Sequence, residues 1–177
     1  LYVDEKTGAA ELVMDPSNPN KLLCGMWEHR RYPWYFKSGG TSSGLYISTD
    51  GGETWKKQTT KDGLPEGELG RIALSFSRNK TSIVYALVEA SESVLLRSDD
   101  GGYKWRTVNK EKNVHPRPFY FSTIDVNPVN ENIVYRIHTT FDVSEDGGKS
   151  FSILTPYQNI HPDFHALWMH PNGEMMI

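Results

Sequence analysis

The sequence predicts an all-β chain, and three observations predict it. A short signature, S-x-D-G-G-x-[TKS]-[WF], occurs three times, at 48–55, 98–105 and 144–151, so its copies start 50 and then 46 residues apart. Short apolar or alternating runs recur every 8–12 residues between turn signals, the pattern of strands joined by hairpins. No run carries helical periodicity to compete with them. Four-stranded units repeated in tandem at 40–50 residues are the signature of a β-propeller.

The elements follow in order. Residues 9–16 read as a strand stopped by Asp15-Pro16, and Pro16 to Asn20 as a turn. Strands at 21–28, 44–49 and 54–59 complete a first blade, spanning about 9–60. A second set, at 70–77, 82–89, 94–99 and 104–109, gives a blade over about 69–109. A third, at 122–127, 133–138, 141–145 and 150–154, gives one over about 119–155. Residues 165–170 and 175–177 then open a fourth, over about 164–177, so residues 1–177 form a single partial propeller. The Pro-Asn turn of the first set returns at Asn127-Pro128 and His170-Pro171 and degrades at Ser77-Arg78-Asn79.

Composition bounds the function. Hydrophobic content of 37% with 12% aromatics is that of a folded globular chain. A net charge of −3 without a basic run argues against a nucleic-acid partner. No apolar stretch reaches the 18 residues a membrane-spanning helix needs. The single cysteine, Cys24, lies in an apolar run and reads as a buried, inert thiol. No Gly-x-Ser-x-Gly elbow is present for a serine hydrolase.

The signature itself reads as structure. Asp50, Asp100 and Asp146 can accept backbone N–H groups two or three residues on, closing a tight turn. The glycine pairs, including Gly52, Gly102 and Gly148, allow positive φ. Ser48, Ser98 and Ser144 close the turn from the other strand, and Trp55, Trp105 and Phe151 pack it onto the blade. Asp99-Asp100 lacks the further oxygen ligands of a calcium loop. His161-x-x-x-His165 is broken by Pro162, and His170 stands apart, so neither a metal nor any other cofactor is expected.

Meander connectivity puts the Pro-Asn turns and the signature turns on one face. The long, irregular connections at 28–43, 61–69, 110–121 and 156–164 fall on the other, where function is expected. The first of these offers Glu28, His29, Arg30, Arg31, Tyr32, Trp34, Tyr35 and Phe36, an aromatic and cationic set suited to a protein or glycan ligand. Matching the blades places Ala10, Arg71, Ser122 and His165 where each innermost strand begins, with Arg71 and His165 at the channel mouth near Glu11, Tyr120 and Asp163. A glycosidase needs two facing carboxylates. Glu11, Glu28 and Asp163 are the candidates of interest among Asp62, Glu66, Glu68 and these three, and no spacing pairs any two. An arginine triad of Arg71, Arg117 and Arg30 or Arg31 is conceivable for a carboxylated sugar. Asn79-Lys80-Thr81 matches a glycosylation sequon.

The signature resembles the Asp-box, or bacterial neuraminidase repeat. With the Asp15-Pro16 turn, Trp27 to Trp34 and His161 to Trp168, the chain is similar to the large bacterial sortilin-like propellers labelled as glycosyl hydrolases. The resemblance implies a secreted, periplasmic or envelope setting and a binding or scaffold role. It also carries an enzymatic alternative, a sialidase-like or xyloglucanase-like hydrolase fragment. Three and a half blades do not close a ring of about 4–8. Leu1-Tyr2-Val3 reads as the tail of a preceding fourth strand, so the chain is expected to be either an open arc or part of a closed ring whose remaining blades come from a parent chain or a second copy.

Overall fold

A computed structural model describes residues 1–120, 122–155, 160–162 and 164–176. The first sheet runs β1 (Thr7–Asp15), β2 (Asn18–Tyr32), β4 (Gly44–Ser48), β5 (Lys56–Lys57), with β3 (Tyr35–Ser38) paired to the far end of β2. The second runs β6 (Ile72–Phe76), β7 (Val84–Val88), β8 (Val94–Ser98), β9 (Arg106–Asn109). The third runs β10 (Thr123–Val126), β11 (Val134–Ile137), β12 (Phe141–Ser144), β13 (Ser152–Thr155). A two-stranded sheet of β14 (Trp168–Met169) and β15 (Met175–Met176) follows. Every described pairing is antiparallel. The innermost strands β1, β6 and β10 pack side by side, so the sheets stand as successive blades of a β-propeller.

Strand alternation explains the packing. In β6 and β7, Ile72, Leu74, Val84 and Ala86 turn toward the first sheet, joining Leu23, Leu45 and Trp105 in one core. Ala73, Tyr85 and Leu87 turn the other way, toward Ile124, Val126 and Val134 of the third sheet. The central blade is thus apolar on both faces because it is covered on both. Gly25 is required where the first two blades meet: a Cβ there would come 2.8 Å from the carbonyl oxygen of Ile72. A third core of Tyr135, Ile137, Phe141, Phe164 and Met169 joins the third sheet to the segment carrying β14.

Three expectations change. Residues 28–43 are not an irregular loop: β2 runs on to Tyr32 and turns through Pro33-Trp34 into β3, making a two-stranded ribbon. Residues 1–4 form no strand; Val3 packs on Cys24, Met26 and Tyr46 along the outer side of the first sheet. The fourth strand of that sheet is also shorter than expected, because Thr59 caps a 3₁₀ turn at Thr60–Asp62. Phe121, residues 156–159, Asp163 and Ile177 lie outside the described residues.

Candidate functional site

The three signature turns share one set of bonds. Ser48, Ser98 and Ser144 each donate from Oγ to the following aspartate, at 2.7, 2.7 and 2.8 Å. Each serine also accepts from the second glycine of its pair, at 2.9, 2.8 and 2.8 Å. Asp50, Asp100 and Asp146 accept the N–H four residues on, at 2.9, 2.9 and 3.0 Å. The second and third turns add the N–H three residues on, so the reach is three to four residues, one longer than the two or three expected. These bonds hold Asp50 and Asp146 down at about 2, the neighbouring Thr54 and Ser150 hydroxyls contributing most. Gly52, Gly102 and Gly148 have φ of 96°, 96° and 88°. Gly102 also faces Leu23 of the first blade, and Gly148 faces Leu95 of the second. Trp105 is buried between blades, its Nε1 donating to Gln58 Oε1 at 2.9 Å, while Gln58 Nε2 donates to the Gly102 carbonyl. Gln58 Nε2 also reaches the Tyr103 carbonyl at 3.4 Å, and Asn109 makes the equivalent contact on the Lys149 carbonyl at 2.9 Å. These carboxylates are saturated by their own turns and serve as fasteners.

The opposite face carries the ribbon and the 110–120 loop. Register places Trp27, His29 and Arg31 on one side of the ribbon, with Ser38 and Phe36 opposite the last two. Trp27 meets His29 at 4.2 Å between centroids, His29 meets Phe36 at 5.4 Å, and Phe36 meets Phe119 of the loop edge-on at 5.4 Å. Arg117 lies over Phe119 and Tyr120, and Tyr120 meets His165 at 6.3 Å. Arg71 closes the series: its guanidinium stands 5.7 Å over Trp27 and donates to the Tyr120 carbonyl at 3.1 Å. The structure thus brings His29, Arg31, Arg71, Tyr120 and His165 into one continuous run. At the ribbon tip Tyr32 and Trp34 stack at 6.0 Å, and Trp34 is 84% exposed. Ribbon and loop enclose a cleft of about 460 Å³, lined by Arg31, Tyr32, Trp34, Tyr35, Phe36 and Phe119 among others.

Arg30 takes the other side of the ribbon, bonded to the carbonyls of His29 and Glu5. Glu28 is buried and committed, bonded to Lys37 Nζ at 2.7 Å and lowered in pKa chiefly by that bond. Glu11 pairs with Gly25 across β1 and β2, and Glu28 pairs with Thr7, with an irregularity between Ala9 and Glu11. Gly25 and Glu28 are an odd number of positions apart, so Glu11 and Glu28 point to opposite faces of the sheet. Glu11 instead shares a cavity of about 340 Å³ on the inner strands with Ser75, Arg78 and Asp125. Burial raises the pKa of both Glu11 and Asp125. Asp62 is occupied by Lys104 and its own 3₁₀ cap. Among the described residues, no group of three or more His, Cys, Asp or Glu could hold a metal ion.

Sequence reasoning passed over Trp27 and Phe119 as site members and missed Glu89. The last accepts Ser38 Oγ at 2.7 Å and the Arg71 N–H at 2.8 Å, joining ribbon to channel mouth. Only the shared parity of Trp27 with His29 could have signalled the first, and only once the ribbon was known to be a strand.

A family model described as BNR/Asp-box repeat matches residues 46–57, the first signature turn. No curated protein matches the chain in sequence. Among solved structures, YCF48 bound to D1 peptide is similar over 99% of this chain and 47% of its own, at 17% identity and a TM-score of 0.62. An ancestral GH74 enzyme is similar over 93% of this chain and 21% of its own, at 18% identity and TM-score 0.61. The GH74 enzyme of Niastella koreensis is similar over 84% of this chain and 23% of its own, at 19% identity and TM-score 0.56. The chain therefore spans about half the length of the YCF48 chain and under a quarter of these enzymes. At such identities the likeness establishes the fold. Fold and repeat together define a β-propeller carrying BNR/Asp-box repeats.

Proposed function

We propose that this chain is a non-catalytic binding propeller, sortilin-like in kind, that takes a protein or glycan ligand in the cleft between ribbon and loop. One observation carries the reading: an aromatic cleft with arginines on its walls lies on the face opposite the fasteners, while Glu28 is locked in an ion pair. Exposed aromatics beside guanidinium groups offer stacking and directed hydrogen bonds to either ligand class. His29, Arg31, Tyr32, Trp34, Tyr35, Arg71, Tyr120 and His165 are the contributing residues, with Arg30 and Glu28 supporting the ribbon. Solved relatives of the fold include a peptide binder, YCF48 bound to D1 peptide. Further blades, from a parent chain or a second copy, complete the ring; Leu12 and Met14 stand exposed on the first sheet. The resemblance to sortilin-like propellers points to a secreted, periplasmic or envelope setting. Among the described residues no helix is long and apolar enough to cross a membrane.

The second reading, a glycoside hydrolase fragment, is favoured by Glu11 alone, whose raised pKa suits a general acid. A glycoside panel separates the two. The binding reading predicts no turnover by the chain or its longer parent. Turnover lost in Glu11→Gln, Glu28→Gln or Asp163→Asn would establish the enzyme instead.

A further inference from the structure

The 110–120 loop forms one wall of the cleft, and it is held from beneath by two arginines. Arg136 of β11 donates to the carbonyls of Asn113 and Val114 at 2.9 and 2.8 Å. Arg71, just ahead of β6, donates to the Tyr120 carbonyl at 3.1 Å. Between these clamps sits His115, 4% exposed, with no hydrogen-bond partner at either ring nitrogen. The Val88 carbonyl favours its protonation but stands outside hydrogen-bond geometry. The groups that face it are Arg71, Arg136 on β11 and His138 just after that strand. Asp142 on β12 is the nearby counter-ion, and it is engaged by Arg136 and by His138 at 3.0 Å. Glu11 and Glu89 act on Arg71. Arg71, Arg136 and His138 all oppose a proton on His115.

We propose that His115 is an acid-sensitive latch: its neutral ring lets two arginines hold the 110–120 loop closed, and its protonation releases the loop with Arg117, Phe119 and Tyr120. The consequence for ligand rests on the cleft reading above; the latch itself does not. A third positive charge placed between two guanidinium groups, in a site closed to water, must leave or take the loop with it. Burial, then Arg71, Arg136 and His138, push the pKa of His115 down to about 3 when closed. In the open loop it titrates near the ordinary value of about 6.5. The sign is therefore fixed: closure is fully favoured above about pH 6.5 and is lost roughly tenfold per unit as pH falls below it. This is opposite in direction to Glu11 and Asp125, whose raised values favour the folded state toward acid. Pro116 and Pro118 flank the sequence after the latch and stiffen it, so release moves residues 116–120 together.

Hydrogen exchange of the amides at 113–115, 117, 119 and 120, corrected for intrinsic rates, tests the latch from pH 7 to 4.5. The opening constant should rise about a hundredfold in the wild-type chain and stay level in His115→Gln. A level wild-type profile, or the same rise in His115→Gln, would overturn the proposal. Should that variant not fold, the His115 ring is titrated by NMR in the wild-type chain. Protonation of the ring only together with opening of the loop supports the latch. A midpoint near 6.5 with the loop closed refutes it. Acid opening without any cleft ligand would leave the latch standing and remove the binding function; ligand binding without acid opening would do the reverse.

Discussion

The two faces of this propeller solve different problems with similar residues. On the signature face, three turns built from serine, aspartate and glycine pairs repeat the same bonds within 0.1 Å at each shared position. On the opposite face nothing repeats. The first blade extends β2 and adds β3 as a ribbon, the connection from second to third blade folds over His115, and the remaining links differ again. Carboxylates on the first face are satisfied by their own backbone, whereas on the second face rings of ribbon and loop meet and a guanidinium group lies over the loop's rings. A polar cluster therefore marks function only where its hydrogen-bonding capacity is left over.

Tryptophan breaks the comparison most sharply. Trp105, at 6% exposed between blades, and Trp34, at 84% exposed on the ribbon tip, are the same residue on opposite faces. Trp105→Ala should cost about 3–5 kcal/mol in urea unfolding, and Trp34→Ala should change stability by no more than about 0.5 kcal/mol. Equal losses would erase the distinction.

Asp142→Asn comes next. It removes the counter-ion of Arg136, both partners being buried, and should cost about 3–5 kcal/mol at neutral pH. Asp142 is lowered to about 2 against burial, by its bonds to His138 and Arg136. Its contribution is accordingly present above the unfolded value near 3.9 and fades as pH falls toward 2. The gap between wild type and Asp142→Asn should close over that interval, and a gap that widens toward acid would reverse the assignment.

Ser98→Ala should cost about 1–3 kcal/mol, since it strands the buried N–H of Gly102. The equivalent Ser144→Ala should match it. A large difference between the two would show that the turns are not equivalent fasteners, however alike their bonds.

The sequence spoke clearly about the repeating face and faintly about the other, for a physical reason. An Asp-box is local: the bonds of its serine and aspartate side chains fall within seven residues, so its pattern survives in the chain order and sets blade count, strand order and loop direction. The ribbon is local too, yet His29 to Ser38 mixes charge and aromatic on both sides, so it lacks the apolar-polar alternation that reveals a strand. Glu28 looked available because its partner Lys37 joins it only through the unexpected hairpin. Glu11 and Glu28 were separable only with a register irregularity that no spacing announces. His115 sits in a polar, proline-rich stretch that gives no sign of its burial or of the distant arginines acting on it.

We propose that ligand chemistry belongs to the ribbon and loop face. Peptide and glycan arrays probed with the wild-type chain, with Arg31→Ala plus Trp34→Ala, and with Glu53→Ala on the signature face test it most directly. Ligands should be held by wild type and Glu53→Ala and lost by the ribbon variant. Binding that survives the ribbon variant but fails in Glu53→Ala would contradict it.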